Sequence, residues 1–164
     1  MYHENPYTYG NAWIVDKVHF VDNANQELDM LGQLNLRHEA VADKKFETQL
    51  GQAMEQDTLS RVTIKAYEPN KLTYDVETGK GGIVVFSEIY YPGWTATVDG
   101  EEQELGRVDY VLRALQVKPG RHEVVLSFFP KSIKQTETVA YGAYAALAAI
   151  LIWIGWRAYR RRRK

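Results

Sequence analysis

The sequence predicts a mainly β chain: an antiparallel β-sandwich with a small N-terminal α/β piece and one C-terminal transmembrane helix. Three observations carry that prediction. From Ser60 to Phe129 apolar and polar residues alternate with a period of two, and turn signals recur at roughly eight- to twelve-residue intervals, as in the short half-buried strands of a sandwich. Before Ser60 a β-branched stretch is followed by a helix-start signature. From Val139 to Trp156 the chain carries 18 consecutive uncharged side chains. At about 1.5 Å per residue these span roughly 27 Å, close to the hydrocarbon thickness of a bilayer.

In chain order, Ala12 to Val21 is rich in β-branched and aromatic residues and reads as a strand. Asn23 is an N-cap with Gln26 three residues on, and Ala24, Leu28 and Leu31 recur at i, i+4 and i+7, so a short amphipathic helix is expected over Ala24 to Leu34 with its apolar stripe in the core. Residues 35–56 are ambiguous: Ala42 to Phe46 suits an extended piece and Thr48 to Met54 a helical turn. Val62, Ile64 and Ala66, then Leu72, Tyr74 and Val76, alternate with polar residues as half-buried antiparallel strands. Ile83-Val84-Val85-Phe86 is continuously apolar and suits a central strand. Trp94, Ala96 and Val98 lead to Asp99-Gly100, a strong hairpin signal. Val108 to Val117, the Pro119-Gly120 turn and His122 to Phe129 complete the set. The expected division is a strand–helix region at 1–58 packing on the sandwich, the sandwich at 59–130, a linker at 131–138, the membrane helix at 139–157 and a basic tail at 158–164.

The tail fixes the expected orientation. Arg157, Arg160 to Arg163 and Lys164 follow the apolar stretch, and Tyr141, Tyr144, Trp153, Trp156 and Tyr159 lie near its ends, where amphipathic rings favour the headgroup level. Cationic flanks stay inside, so the C-terminus is expected in the cytoplasm and the main domain outside it, at the cytoplasmic (inner) membrane. A buried core helix beside a nucleic-acid-binding tail is the competing reading, but an apolar stretch of this length rarely belongs to a soluble core. The first twenty residues contain neither a basic n-region nor an apolar h-region. The chain is therefore expected to be the end of a longer polytopic protein, with Met1 either an internal methionine or an introduced start.

Composition narrows the function classes. With the six tail cations set aside, 14 Lys and Arg face 21 Asp and Glu, a net of −7 over residues 1–156. Such a surface repels nucleic acid. The chain has no cysteine, hence no disulfide framework, thiolate metal site or cysteine nucleophile. His3, His19, His38 and His122 are scattered without metal-ligand spacing. Gly79-Lys80-Gly81-Gly82 falls between strands and lacks the spacing of a phosphate loop, and no serine sits in a Gly-x-Ser-x-Gly elbow. No catalytic residue, cofactor or metal site is assigned.

One dense polar and aromatic cluster stands out. Ser87-Glu88-Ile89-Tyr90-Tyr91-Pro92-Gly93-Trp94 is followed by Arg107, Asp109 and Arg113 in a later strand that can pair nearby. Aromatic rings beside carboxylates and guanidinium groups suit sugar faces and hydroxyls. Glu88, Tyr90, Tyr91, Trp94, Asp109 and Arg113 are accordingly the candidate glycan contacts. The alternative is a core tryptophan, two packed tyrosines and a Glu–Arg pair.

Several segments carry a family resemblance: Asn5-Pro6-Tyr7-Thr8-Tyr9-Gly10-Asn11-Ala12-Trp13, Val21 to Glu27, Ser87 to Trp94, Asp99-Gly100, Leu112-Arg113-Ala114 and Val117 to Val124. In this order, and over nearly the whole chain, the sequence resembles the C-terminal part of the bacterial YfhO family of membrane proteins. The resemblance implies a large polytopic parent similar to GT-C glycosyltransferases that use polyprenyl-phosphate sugars, ending in an extracytoplasmic β-rich domain and a last helix. The family's N-terminal helices, and the acidic extracytoplasmic loop expected to perform catalysis, have no counterpart here, so no catalytic residue carries over. Two functions follow as expectations. One is an accessory domain of a membrane glycosyltransferase in cell-envelope glycan synthesis, partnered by the lipid bilayer, the parent's missing N-terminal transmembrane helices and a cell-envelope glycan. The other is a non-catalytic membrane-anchored structural or interaction module.

Overall fold

A computed structural model describes residues 8–51, 57 and 59–162. The chain forms two compact units, the first ending at Phe128 and the second beginning at Phe129. Strands β1 (Ala12–Val15), β6 (Gly82–Ile89), β10 (Leu112–Val117) and β9 (Gly106–Val108) form a four-stranded sheet in that order. A five-stranded sheet runs β4 (Arg61–Glu68), β5 (Lys71–Thr78), β11 (Gly120–Phe128), β7 (Trp94–Val98) and β8 (Glu101–Gln103). Every pairing in both sheets is antiparallel. Between them lies a core of Leu72, Tyr74, Val76, Val84, Phe86, Leu115, Val117, Val124 and Leu126. The sandwich follows from the period-two pattern: β5 buries Leu72, Tyr74 and Val76 and turns Lys71, Thr73 and Asp75 away.

A third layer covers the other face of the four-stranded sheet. Parallel strands β2 (Lys17–Val21) and β3 (Glu39–Asp43) are joined through helix α1 (Ala24–Leu31), and a 3₁₀ turn (Lys44–Phe46) leads into the short helix α2 (Glu47–Leu50). Val18, Ala40, Ala42, Phe46 and Leu50 pack there against Ile83, Val85, Val108 and Ala114. Strand β6 thus buries Val84 and Phe86 on one face and Ile83 and Val85 on the other, the physical reason for its continuous apolar run.

Four local expectations differ from the structure. The single strand expected over Ala12 to Val21 is two strands in two sheets. At the break the N–H groups of Asp16 and Lys17 both donate to the His38 carbonyl (3.0 and 3.3 Å), drawing the chain from β6 to β3. Helix α1 begins where predicted, with the Asn23 Oδ1 accepting from the N–H of Asn25 and Gln26 at 3.1 Å each. It stops at Leu31, before Gly32, and its apolar stripe does not enter the core: Leu28 is 48 % exposed, while the one buried residue is Glu27. The ambiguous stretch holds β3, the 3₁₀ turn and α2; the part of the expected Thr48–Met54 turn at residues 52–54 lies outside the described residues. Finally, α3 runs Lys131–Arg162, so the expected linker is helical. Residues 131–138 contain no glycine or proline to stop a helix propagating upstream from the apolar stretch. Within α3, Thr136–Arg161 is long and apolar enough to cross a membrane.

Candidate functional site

The hairpin signal at Asp99-Gly100 brings β8 back beside β7, with Ala96 opposite Gln103 and Thr97 opposite Glu102. Asp99 adopts φ 53° and Gly100 φ 86°, the left-handed pair such a two-residue turn requires. This return, the loop leaving β6 and the end of α2 enclose a groove of about 560 Å³. Tyr90, Tyr91 and Trp94 line one part of it, and Gln49, Glu102 and Glu104 another. Tyr91 is 61 % exposed. Tyr90 is half-buried and meets the Phe46 ring edge-on at 5.5 Å, on the third-layer side of β6. The Trp94 ring lies against Phe128 at 5.2 Å.

Behind Trp94, in the space between the two sheets, sits an ionic cluster. A register shift between Leu112 and Arg113 sets Arg113 opposite Phe86. Its side chain is buried, at 2 % exposure. Its Nη2 donates to Glu88 Oε2 at 2.8 Å, and its guanidinium carbon stands 4.0 Å from the Trp94 ring centre. The other Glu88 oxygen accepts from the Tyr67 hydroxyl at 3.3 Å. The Nε and Nη1 of Arg113 and the hydroxyl of Tyr74 are buried without a hydrogen-bond partner. Burial, reinforced by the Glu88 charge, pushes the Tyr74 phenol up to about 12. Desolvation lowers the Arg113 guanidinium from its ordinary value, with Glu88 acting in the opposite direction. An arginine so placed fixes the orientation of the Trp94 ring.

Asp109 does not join this group. It occupies the turn between β9 and β10, where Asp109 (φ 50°) and Tyr110 (φ 70°) both take the left-handed conformation uncommon outside glycine. Its N–H donates to the Val41 carbonyl at 2.7 Å and its Oδ1 accepts from the Val41 N–H at 3.0 Å. Oδ2 is buried without a partner. Burial, helped by the Glu27 charge and opposed by the Val41 hydrogen bond, pushes the Asp109 carboxyl up to about 6. Glu27, 0 % exposed, accepts from Arg107 Nη2 at 2.7 Å and from the Tyr110 N–H at 2.9 Å. Asp109, Glu27 and Arg107 therefore latch the third layer to the β9–β10 turn and lie apart from the groove.

Of the six candidate contacts, Tyr90, Tyr91 and Trp94 line the groove, Glu88 and Arg113 brace Trp94 from behind, and Asp109 belongs to the latch. Sequence reasoning passed over Gln49, Glu102 and Glu104. The Asp99-Gly100 hairpin, continued one step further, places Glu102 beside β7 and so held a signal for it. Nothing local marks Glu27, because an acidic residue in the first turn of a helix also suits solvent. Among the described residues, no group of three or more His, Asp or Glu is arranged to hold a metal ion.

The family model described as bacterial membrane protein YfhO matches residues 13–140, which takes in both sheets, the third layer, the groove and the start of the apolar helix. No curated protein and no solved structure matches the chain.

Proposed function

The chain belongs to the YfhO family of bacterial membrane proteins, and on that premise we propose that it is the accessory extracytoplasmic domain of a polyprenyl-phosphate-sugar-dependent glycosyltransferase in cell-envelope glycan synthesis. In this reading residues 139–157 cross the cytoplasmic membrane, 158–164 are cytoplasmic, and the sandwich holds an acceptor glycan for catalytic helices elsewhere in the parent protein. The observation that carries it is the groove itself, with Tyr90, Tyr91 and Trp94 gathered beside Gln49, Glu102 and Glu104. Its volume falls in the range of small-ligand clefts, and aromatic faces beside a few polar groups suit pyranose rings. A rigid Trp94 strengthens the reading, since pre-ordered side chains lose less freedom on binding. Six cations just after the span, against Lys131 and Lys134 just before it, support the orientation.

A second reading, a non-catalytic structural or interaction module, is favoured by the same braced tryptophan: Glu88, Arg113 and Trp94 engage one another as packing groups do. Two measurements separate the possibilities. The absence of cysteine makes single-cysteine labelling clean. A cysteine at exposed Glu101 should react with an impermeant maleimide in intact cells, and one at Arg161 only after permeabilisation; the reverse pattern overturns the orientation. In membranes containing the parent glycosyltransferase, Tyr91→Ala should reduce sugar transfer to the envelope glycan at unchanged protein level. Unchanged transfer favours the structural module.

A further inference from the structure

We infer that the end of the sandwich from which β11 leaves rests on the headgroup layer of the bilayer, with a lipid surface as the occupant of its exposed apolar rim. The inference rests on the reading above that residues 139–157 cross the membrane, and it is independent of what the groove holds. Five contacts define that end. The Phe128 N–H donates to the Asn70 carbonyl at 2.9 Å, which places the β4–β5 hairpin beside the last residue of β11. Phe128 stands opposite Trp94, and its ring lies 6.3 Å from that of Tyr91. The Tyr90 N–H donates to the Val111 carbonyl at 2.7 Å, and the Tyr67 hydroxyl donates to Glu88 at 3.3 Å. The β4–β5 hairpin, the loop leaving β6 and the β9–β10 turn therefore share one end with the exit of β11. Among the described residues, eight large apolar side chains are exposed on the first unit, and five of them, Tyr67, Ile89, Tyr91, Tyr110 and Val111, are at this end. Single exposed apolar residues are ordinary, but a cluster of them marks a surface that something covers.

Two observations identify the occupant as lipid. The first is covalent reach. Phe128 ends β11 and Thr136 begins the segment apolar enough to cross a membrane, so at most about 28 Å of fully extended chain joins this end of the sandwich to the bilayer. The second is charge. In the sandwich turns at this end, Asp109 is buried, and the exposed charges Glu68 and Lys71 stand opposite one another across the β4–β5 hairpin and cancel. The opposite end carries Lys80, Asp99, Glu101, Lys118 and Arg121, all exposed. Tyrosine rings and aliphatic side chains gain free energy at the boundary between headgroups and acyl chains, where unpaired charges lose it. The end that is tethered to the membrane is thus the end with the composition of an interfacial surface. Its attraction is apolar, because the acidic excess of residues 1–156 offers nothing to anionic lipid.

The test uses the full chain in phosphatidylcholine vesicles, with one fluorophore-labelled cysteine at a time: Ile89→Cys, Val111→Cys, Glu101→Cys and Ala146→Cys. Tyr91 also lines the groove, so no label is placed on it. Quenching by phosphatidylcholine spin-labelled near the headgroup is compared with quenching by iodide in the water. The labels at Ile89 and Val111 should be quenched several-fold more by the lipid, relative to iodide, than the label at Glu101. Adding Ile89→Asp, a change at an exposed strand end, should lower the lipid quenching at Val111 while the near-ultraviolet circular dichroism stays native. The label at Ala146, inside the span, should be quenched by lipid throughout. If Ala146 is quenched but Ile89 and Val111 behave like Glu101, the inference is overturned and the span stands. Shielding of Ile89 and Val111 from both quenchers means that a second copy of the chain covers the rim, which also overturns it. An Ala146 label open to iodide and not to lipid sinks the membrane reading and the inference together.

Discussion

Glu27→Ala tests the latch that joins the third layer to the sandwich. The substitution removes the acceptor of the Tyr110 N–H (2.9 Å) and the partner of Arg107 (2.7 Å), in a site where Glu27 is 0 % exposed. Leaving a buried N–H unpaired costs about 1–3 kcal/mol, and breaking one side of a buried ion pair about 3–5 kcal/mol. The Arg107 side chain is 20 % exposed and regains some hydration, so a combined loss of about 4 kcal/mol is expected, with the lower ends of those ranges applying. The turn adds to the dependence: Asp109 and Tyr110 hold left-handed conformations that persist only where surrounding contacts over-determine them. Guanidinium unfolding of the full chain in micelles, followed by near-ultraviolet circular dichroism, measures the loss. Asp22→Ala is the control, since its 2.6 Å pair with Lys44 joins side chains more than half exposed, where solvent screens the attraction, and its loss should move the midpoint little. Adding Arg107→Ala to Glu27→Ala should recover part of the stability by removing the stranded charge. A loss below about 1 kcal/mol, or one no larger than that of Asp22→Ala, refutes the latch.

Other consequences concern the same contacts and the two cores. Because the folded Asp109 carboxyl titrates near 6 and an unfolded one at 3.8, the stabilisation from its protonated form is complete below pH 3.8 and is lost as the pH rises through 6. Relative to Asp109→Asn, which keeps an acceptor for Val41, the native protein should lose up to about 3 kcal/mol between pH 4 and 7 in paired thermal melts; a pH-independent difference contradicts the buried carboxyl. Leu126→Asp places a carboxylate without a partner between the sheets, where Leu126 is 0 % exposed, and should unfold the first unit, at a cost of several kcal/mol. A folded Leu126→Asp protein with native near-ultraviolet dichroism would contradict the core assignment. Gly106→Ala builds a Cβ 2.5 Å from Leu50 Cδ2 and should cost about 1–3 kcal/mol, whereas Gly32→Ala, with nothing within 4 Å, should be close to neutral; equal midpoints for the two would contradict the close approach of α2 to β9.

Short-range pattern determined much of this protein. A period of two in β5 and β11, a doubly apolar run in β6, Asn23 ahead of α1 and the apolar stretch after Thr138 each report a local environment directly, because side-chain direction along a strand or helix repeats over a few residues. The same locality made Tyr90, Tyr91 and Trp94 legible as one aromatic group, and the pairing of Glu88 with Arg113 was among the alternatives the residues allowed. Tertiary structure alone decided the rest. Asp16 divides one β-branched stretch between two sheets through the carbonyl of His38, a residue no local pattern singles out. Glu27 and Arg107 meet across 80 positions, and Gln49 and Glu104 across 55. A carboxylate in water and one held against a guanidinium look the same in sequence, since what separates them is whether a distant segment removes the water. Asp109 has the same parity as Arg113 and so reads with the aromatic group if the stretch is one strand, but the chain turns between β9 and β10 at Asp109 and Tyr110, and a register shift at Leu112/Arg113 breaks the alternation. There Val41 N–H, rather than a ligand, takes its oxygen.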